Sequence, residues 1–404
     1  MSNTLTYENK DSPTISVIIP VHNTESFLNE CLDSVINQTL TNIEIICIND
    51  GSTDNSLKIL EEYADRDNRI KIISQENKGG GAARNAGLVI AKGEYLAFLD
   101  SDDFFNTQAL QKAYAKIVAD NADIVVFNCK VYYNSSKRYV NAPWVFMKKY
   151  FPKAIPFSYH DVPDYILNMF SSTVWNKLYK KEMIKQYDII FQESMRTNDL
   201  YFSYLALIHA KCITTLDEAL VYYRKDVSNS SQSTNHETPL DFYFALISVK
   251  KELDRLNIFY EVKRSYINRL LGSSIYILMS IKRGDVFEYL YNKLKDDIFP
   301  EIDLGNYSKD YFHDICQNQY IEAKKIMSLS AAEYLFDLRN IARADAERYR
   351  AECDESKKIY DGLKSEYDRL NAERNSIIVS YSYRLGRLLT WFPRKVRDFF
   401  LRTH

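Results

Sequence analysis

The chain has 404 residues, of which 46% are apolar and 14% aromatic, and its 52 Lys and Arg residues nearly balance its 54 Asp and Glu residues. This length allows two or three folding units with a large core. The composition excludes an intrinsically disordered chain, and the balanced charge excludes a protein that coats nucleic acid through general basic charge.

The N-terminal residues and the cysteines indicate the compartment. Residues 1–13 are polar and lack the basic and apolar regions of a signal peptide, and no uncharged apolar run reaches the roughly 18 residues of a membrane-spanning helix. Six cysteines stand singly, without a CxxC pair, so neither a disulfide framework nor a zinc site is indicated. We therefore expect a cytoplasmic chain that is neither secreted nor membrane-spanning.

Short apolar runs alternate with stretches of helical periodicity over residues 13–127. The first two runs, residues 15–19 and 43–48, are almost entirely apolar, which indicates strands covered on both faces, as in a parallel sheet. Strict alternation of strand and helix predicts an open α/β sheet. The further predicted strands cover residues 70–73, 95–99 and 124–127, and the predicted helices lie near residues 27–36, 82–91 and 107–120.

The alternation loosens after this region. Residues 128–235 are rich in aromatic residues and interrupted by Pro, and they predict a second half of the same domain, 1–235, built on the sheet to hold a ligand. The polar, turn-rich stretch 226–239 marks the first boundary. Residues 236–330 then carry long helical periodicity, which predicts a helical subdomain.

The C-terminal residues predict a long helix and a basic tail. Residues 331–378 lack Pro and carry an imperfect heptad pattern, which fits either a solvated helix folded back on the protein or a coiled coil that forms a homodimer. Residues 379–404 combine six basic residues and one acidic residue with aromatic residues. This amphipathic composition predicts binding to an anionic membrane surface, with a basic helix packed on its own domain as the alternative.

Polar side chains follow three of the predicted strands. They lie at residues 20–25, 49–54 and 100–103, and the last of these stretches carries three carboxylates within four positions. Because the carboxyl ends of parallel strands meet at one edge of a sheet, these stretches should form a ligand site. Closely spaced carboxylates repel each other unless a cation neutralises them, and Mg²⁺ or Mn²⁺ prefers oxygen ligands. The alternative is that the acidic stretch only caps the next helix.

A glycine-rich loop at residues 79–87 opens a predicted helix with Arg84 and Asn85, a position suited to anions. It does not match the dinucleotide-binding fingerprint, because Arg84 replaces a glycine and the loop follows the third strand. No phosphate-binding P-loop sequence occurs in the chain.

Five stretches, "SVIIPVHN", "CLDSVINQTL", "INDGSTDNS", "NKGGGAARNAG" and "GEYLAFLDSDD", stand in this order. Together they resemble the nucleotide-binding half of the family 2 inverting glycosyltransferases, over about residues 13–110. The resemblance implies a GT-A fold, a Rossmann-like open mixed sheet, with the nucleotide-binding half at residues 13–127 and the acceptor half at 128–235.

The resemblance also implies roles for single residues on the donor side. Asp50 would read the uracil edge, and Asp102, with Asp103 near it, would ligate Mn²⁺ or Mg²⁺ on the diphosphate of a UDP-sugar. His22 stands where the family more often has Tyr. The residues that match nucleotide-sugar-binding positions are Pro20, Val21, His22, Asn23, Glu25, Asp50, Gly80, Arg84, Asp100 and Ser101.

On the acceptor side, "VWNKLYKKEMIKQYDIIFQESMRTNDLYFSYLAL" resembles the block that carries the general base in the family. Asp199 matches that base, and Asn198 replaces the customary Glu beside it, which leaves a role in acceptor binding for Asn198. The alternative is that Asn198 or Asp199 only caps the helix. Trp175, Asn176 and Lys177 are expected to shape the pocket between donor and acceptor, although Trp175 fits the core equally well.

The combined hypothesis is a metal-dependent inverting hexosyltransferase or N-acetylhexosaminyltransferase that acts from a UDP-sugar. Its expected acceptor is a lipid-linked oligosaccharide in bacterial surface polysaccharide synthesis, such as capsule or O-antigen, reached at the cytoplasmic face of the inner membrane. The alternatives are a protein glycosyltransferase, a soluble glycan acceptor, and a non-catalytic scaffold. A nucleotidylyltransferase would need a glycine-rich, basic signature after the first strand, which residues 20–23 do not supply.

Overall fold

The computed structural model describes residues 12–194, 196–226, 235–380, 383 and 385–387. The chain divides into two compact units, Met1–Ser328 and Leu329–His404, which are treated separately below. The domain limits expected from the sequence at residues 235 and 378 stay predictions.

The first unit contains a single large sheet flanked by helices. The strands are β1 Ile15–Val21, β2 Ile43–Asp50, β3 Ile70–Gln75, β4 Tyr95–Phe98, β5 Phe104–Phe105, β6 Ile124–Tyr133, β7 Arg138–Asn141, β8 Lys177–Lys180 and β9 Ile213–Lys225. The helices interleaved with them are α1 Glu25–Ile36, α2 Ser56–Ala64, α3 Gly80–Ile90, α4 Ala109–Ala119, α5 Lys181–Gln186 and α6 Asn198–His209. They are followed by α7 Asp241–Arg255, α8 Phe259–Ser280, α9 Gly284–Lys293, α10 Phe299–Glu301 and α11 Gln317–Ser328.

The sheet is mixed, which confirms the predicted GT-A type of architecture. Its strands run in the order β3-β2-β1-β4-β8-β6-β9-β5, with β7 paired to the outer part of β6. The first four of these are parallel to one another, whereas β8 runs antiparallel to both β4 and β6. The carboxyl ends of β1, β2 and β4 therefore meet at one edge, where the polar stretches predicted from the sequence lie.

The central strands are buried because helices cover both faces of the sheet. All eight residues of β2 are buried, and α1 packs Leu28, Cys31, Leu32 and Val35 into the core below the sheet. Each such apolar side chain contributes about 1.5–3 kcal/mol through burial. The alternation of strand and helix predicted from the sequence is confirmed through α4. The spacing of apolar residues predicts it because that spacing determines which face of a helix or strand is buried.

A glycine fixes how closely α3 approaches β1. A Cβ atom at Gly87 would lie 2.5 Å from the Cγ2 atom of Ile18, a distance that the packing cannot accommodate. The absence of a side chain lets α3 lie directly on β1. This close packing holds the N-terminal part of α3, with Arg84, over the carboxyl edge of the sheet.

The second unit contains one long helix, α12, which spans Ala331–Val379 and begins with a capping box between Ser330 and Glu333. At 1.5 Å per residue it is about 73 Å long. Apolar side chains of the predicted heptad seam are exposed along it, for example Tyr349 by 60%, Leu363 by 65% and Tyr367 by 66%. Within the described residues, no helix is long and apolar enough to cross a membrane. Most of the basic tail, 379–404, lies outside the described residues.

Candidate functional site

The loops that follow β1 and β2 are tied together by side chains. The Oδ1 atom of Asn23 accepts a hydrogen bond from the backbone N–H of Thr53 at 2.7 Å, and Oε2 of Glu25 accepts one from the backbone N–H of Asn55 at 2.8 Å. Asn23 itself adopts a left-handed backbone conformation, with φ of 53°. Pro20 and Val21, at the end of β1, lead into this loop. These predicted nucleotide-binding residues therefore build a preformed rim.

Asp50 organises the entrance to the glycine-rich loop. Its carboxylate, 2% exposed, accepts hydrogen bonds from the backbone N–H groups of Lys78 at 2.9 Å and Gly79 at 2.8 Å and from the Gln75 side chain at 2.8 Å. Nδ1 of His22 lies 2.8 Å from the backbone oxygen of Asp50. A carboxylate offers about four acceptor positions, so one remains for a ligand. The predicted contact with uracil stays a prediction.

The Arg84 side chain joins the end of β4 to the start of α6. Its guanidinium donates to Oδ1 of Asp100 at 2.5 Å and to Oδ1 of Asn198, 114 residues away in sequence, at 2.8 Å. The guanidinium lies over the ring of Phe191, 5.4 Å from its centroid, and the residue is only 7% exposed. A Cβ at Gly80 would lie 3.2 Å from Nη1 of Arg84, and one at Gly81 would lie only 2.0 Å from the backbone oxygen of Gln192, so the second position requires glycine.

The acidic turn after β4 places its carboxylates in different directions. Asp103 is fully buried, and its Oδ1 accepts a hydrogen bond from the backbone N–H of Arg224 at 2.7 Å. Asp100 and Asp102 keep part of their surface exposed, while Ser101 accepts a hydrogen bond from the hydroxyl of Thr24. Of the two predicted metal ligands, only Asp102 is therefore placed to reach a ligand, and Asp103 belongs to the interior.

The pKa of Asp102 is raised to about 6, mainly by burial and then by the negative charge of Asp100. Burial and then the negative charges of Asp102 and Asp100 hold the pKa of Asp103 well above its usual range. A divalent cation would relieve this repulsion. The described residues contain no group of three or more His, Cys, Asp or Glu side chains placed to hold a metal. One carboxylate with phosphate oxygens from a substrate suits Mg²⁺, which is often bound in that way.

Arg224 supports the acidic turn, a role that the sequence did not indicate. Its Nε donates to the backbone oxygen of Asp102 at 2.7 Å, and its Nη2 pairs with Glu30 at 2.6 Å. The guanidinium carbon lies 5.1–5.2 Å from the ring centroids of Phe27, Phe104 and Tyr132. These contacts depend on the pairing of β5 with β9, which no local pattern predicts.

Asp199 lies at the start of α6 with a carboxylate to which no side chain among the described residues donates a hydrogen bond. Burial raises its pKa to about 6, and the positive charges of Arg84 and Lys177 oppose this rise. The helix begins after Thr197 without a side-chain cap, so the capping role considered from the sequence is not observed for Asn198 or Asp199. An accessible carboxylate with this pKa is suited to accept a proton near neutral pH.

The three residues Trp175, Asn176 and Lys177 are buried behind this carboxylate. The Asn176 amide donates to the backbone oxygen of Phe127 at 3.0 Å. The Lys177 ammonium donates to the backbone oxygens of Ser171 at 3.0 Å and Thr173 at 2.5 Å, and burial lowers its pKa to about 7. All three side chains are therefore held in the interior, and their role in shaping a pocket stays a prediction.

An aromatic wall lies beside the acidic turn, and it joins Trp175, a predicted pocket residue, to Tyr223 and Trp144, which the sequence did not assign to the site. The Tyr223 ring stacks on Trp175 at 5.7 Å between centroids, and the Trp144 ring meets it edge-to-face at 6.3 Å. Tyr223 directly precedes Arg224, whose backbone contacts Asp103. Trp144 remains 42% exposed. Exposed aromatic rings next to a polar site bind the apolar faces of ligands.

Comparisons with known proteins agree with this geometry. The profile of the family described as Glycosyl transferase family 2 matches residues 16–187. EpsH of Bacillus subtilis (strain 168), named as a glycosyltransferase, is 33% identical over 297 residues, which cover 70% of this chain and 82% of that protein. The poly(ribitol-phosphate) beta-glucosyltransferase of Bacillus spizizenii is 34% identical over 238 residues, 57% of this chain and 35% of that longer protein.

Among solved structures, the crystal structure of S. aureus TarS 1–349 in complex with UDP-GlcNAc aligns with a TM-score of 0.61 at 24% identity. The alignment covers 78% of this chain and 88% of that chain. At this identity the alignment shows a shared fold. Residues 12–226 are too few to make up 78% of the chain, so the shared fold extends beyond the sheet into the helices that follow it.

Proposed function

The chain belongs to glycosyltransferase family 2, and on that premise we propose that it is a metal-dependent inverting enzyme that moves a hexosyl or N-acetylhexosaminyl group from a UDP-sugar to a hydroxyl of a glycan. The observation that carries the proposal is the link of Arg84 to Asp100 on the donor side and to Asn198 beside Asp199. Among the described residues no side chain donates to the Asp199 carboxylate, and we assign the strand edge beside it to the nucleotide.

On the donor side, the rim of Asn23 and Glu25 with Asp50 would receive the nucleoside, and Asp100 would face the ribose. Asp102 would hold Mn²⁺ or Mg²⁺ together with the diphosphate. When bound, the ion supplies positive charge that stabilises the departing diphosphate. Arg84 holds Asp100 in place and would add a fixed positive charge near the diphosphate. The TarS crystal structure contains UDP-GlcNAc, which supports a UDP-sugar donor.

On the acceptor side, Asp199 would take the proton of the acceptor hydroxyl as the oxygen attacks the anomeric carbon. A single displacement of this kind inverts the configuration at that carbon and needs one base. Asn198 would hold Arg84 at the boundary between donor and acceptor through its side-chain oxygen. Trp144 and Tyr223 would carry the apolar face of the acceptor sugar.

For the acceptor we propose a lipid-linked oligosaccharide of a bacterial surface polysaccharide. The similarity to a poly(ribitol-phosphate) beta-glucosyltransferase supports a surface polymer, and the basic tail, 379–404, would hold the enzyme at the cytoplasmic face of the inner membrane. A protein acceptor is the alternative. A scaffold without activity is disfavoured, because Asp102 and Asp199 both keep exposed surface at the same edge.

Two isosteric variants, Asp102→Asn and Asp199→Asn, distinguish the proposed metal-binding role from the proposed role as base. A UDP-sugar at 100 times its Kd with Mn²⁺ should stabilise the wild type by about 2.7 kcal/mol. Asp102→Asn should lose the metal-dependent part of this stabilisation. Asp199→Asn should keep it, while transfer falls on the order of 10²–10⁴-fold. Thermal unfolding with a panel of UDP-sugars and UDP release check both. Full transfer activity of Asp199→Asn would contradict its role as base.

The rate of transfer should depend on pH through Asp199. Because the base acts when ionised and its pKa is about 6, the rate at saturating Mn²⁺ should fall about tenfold per pH unit below that value and level off above it. Arg84 lowers the pKa of Asp199, so Arg84→Gln should move the midpoint to higher pH. Arg283→Gln, which removes an exposed guanidinium paired with Asp285, is the matched control. An unchanged midpoint in Arg84→Gln would argue against this coupling.

Trp144 should affect the acceptor and not the donor. With octyl glycosides of glucose, galactose, N-acetylglucosamine and N-acetylgalactosamine as acceptors, Trp144→Ala should raise the acceptor KM about 3- to 10-fold. The KM for the UDP-sugar should stay the same. Tyr139→Ala is the control, since Tyr139 is 51% exposed and packs on Tyr222, on the other face of β9. An equal effect of both variants would remove Trp144 from the acceptor side.

We also propose that α12 forms a parallel coiled-coil dimer. All ten side chains of the predicted heptad seam are exposed. The seam consists of Ala346, Tyr349, Cys353, Ser356, Tyr360, Leu363, Tyr367, Leu370, Arg374 and Ile377. A second copy in register would bury these rings and aliphatic groups and would bring the two Cys353 side chains together.

Mild oxidation tests the register of this dimer. A parallel in-register pair should form a disulfide through Cys353, the exposed cysteine, whereas Cys31, Cys47, Cys129 and Cys316 are buried. The variant Cys353→Ser should not cross-link, and moving the thiol to the opposite face with an added Ser365→Cys should not restore it. Non-reducing electrophoresis and sedimentation measure the result. A monomer at all concentrations would refute the dimer.

A further inference from the structure

A cleft opens in the helical part of the first unit, between α7, α8 and the turn after α10. Its volume is about 110 Å³. Since one water needs about 10–15 Å³ of such volume, the cleft has room for roughly eight waters. Tyr243 and Tyr260 line it, and Tyr260 is 84% exposed. None of its lining residues belongs to the strand edge described above.

One buried polar group of this cleft lacks a hydrogen-bond partner among the described residues, and two charged groups beside it form no ion pair there. The hydroxyl of Tyr266, a residue that is only 1% exposed, makes no hydrogen bond. The ammonium of Lys263 lies 5.9 Å from the ring centroid of Tyr307 and forms no ion pair with any described residue. Asp303 is exposed, and its carboxylate accepts no hydrogen bond from any residue that the structure describes. Buried polar groups in folded proteins are normally paired, so the Tyr266 hydroxyl needs an explanation.

Neighbouring polar groups in the same cleft are satisfied internally. Lys250 pairs with Asp254 at 2.7 Å, and the Tyr243 hydroxyl donates to Glu301 at 2.5 Å. The protein therefore provides partners for some groups in this cleft and leaves Lys263, Tyr266 and Asp303 available. A donor, an acceptor and a hydroxyl around aromatic rings match the alternating hydroxyl groups and apolar faces of a sugar.

The charge of the cleft favours a neutral ligand. Two lysines and two carboxylates line it, so their formal charges cancel and a polyanion gains no net attraction. We propose that this cleft binds a neutral sugar ring of a glycan chain, at a position separate from the site of transfer. Holding a chain at a second point raises the effective concentration of its acceptor end, so a long acceptor is retained between turnovers.

Direct binding of sugars tests this proposal without any transfer. Cellotetraose, maltotetraose and chitotetraose are titrated calorimetrically into the full-length protein carrying Trp144→Ala, which weakens binding beside Tyr223. At least one should bind, and adding Tyr260→Ala or Tyr266→Phe should weaken it at least fivefold. The second change removes only a hydroxyl, so it leaves the ring packing intact. Tyr289→Ala, at a residue on α9 that is 49% exposed, should leave binding unchanged.

Two results would overturn the proposal: no binding of any of the three sugars up to about 10 mM, or binding that both cleft variants leave unchanged. If the Tyr266 hydroxyl is merely unsatisfied, Tyr266→Phe will stabilise the fold and leave sugar binding as it was. Stabilisation by a UDP-sugar with Mn²⁺ should persist in all cleft variants. Its loss in the wild type would count against the proposed donor site and not against the cleft.

Discussion

The guanidinium of Arg84 holds together two parts of the chain that the sheet alone would leave apart. It lies on α3, bonds to Asp100 at the end of β4, and reaches Asn198 at the start of α6. Its position depends on Gly87, which lets α3 lie against β1, and on Phe191, whose ring supports the guanidinium. The planar guanidinium holds its donors in a fixed fork, so it makes both contacts in one defined geometry, whereas a lysine ammonium is a compact charge on a flexible stem.

At this edge of the sheet, burial raises the pKa values of the carboxyl groups and nearby cationic side chains lower them. Burial raises the pKa values of Asp102 and Asp199 to about 6, and neighbouring carboxylates add to this. Arg84 and Lys177 lower the pKa of Asp199, while Arg224 fixes the turn that carries Asp102. Two carboxyl groups with raised pKa values, those of Asp102 and Asp199, therefore feel the positive charge of the same guanidinium.

The sequence predicted the first strands and the residues at their ends well. Residues 15–19 and 43–48 are almost entirely apolar, which indicates burial on both faces, and the polar motifs follow them directly in sequence. It did not predict that Asp103 turns inward or that Lys177 is fully buried. It also missed Arg224 and Trp144. Their contacts arise from β8 and β9, which join the sheet from distant parts of the chain, and the pairing of such strands has no local signal. The helical cleft was missed because it depends on how α7, α8 and the turn after α10 pack together, which helical periodicity alone does not predict.

The central claim is that Arg84 couples the donor side to the acceptor side. Its most direct test is a double-mutant cycle of Asp100→Asn and Asn198→Ala on kcat/KM for transfer from a UDP-sugar, repeated in an Arg84→Met background. The account predicts a coupling energy above about 0.5 kcal/mol between these two residues with Arg84 present, and additive effects once Arg84 is removed. Additive effects in both backgrounds, or equal coupling in both, would contradict it.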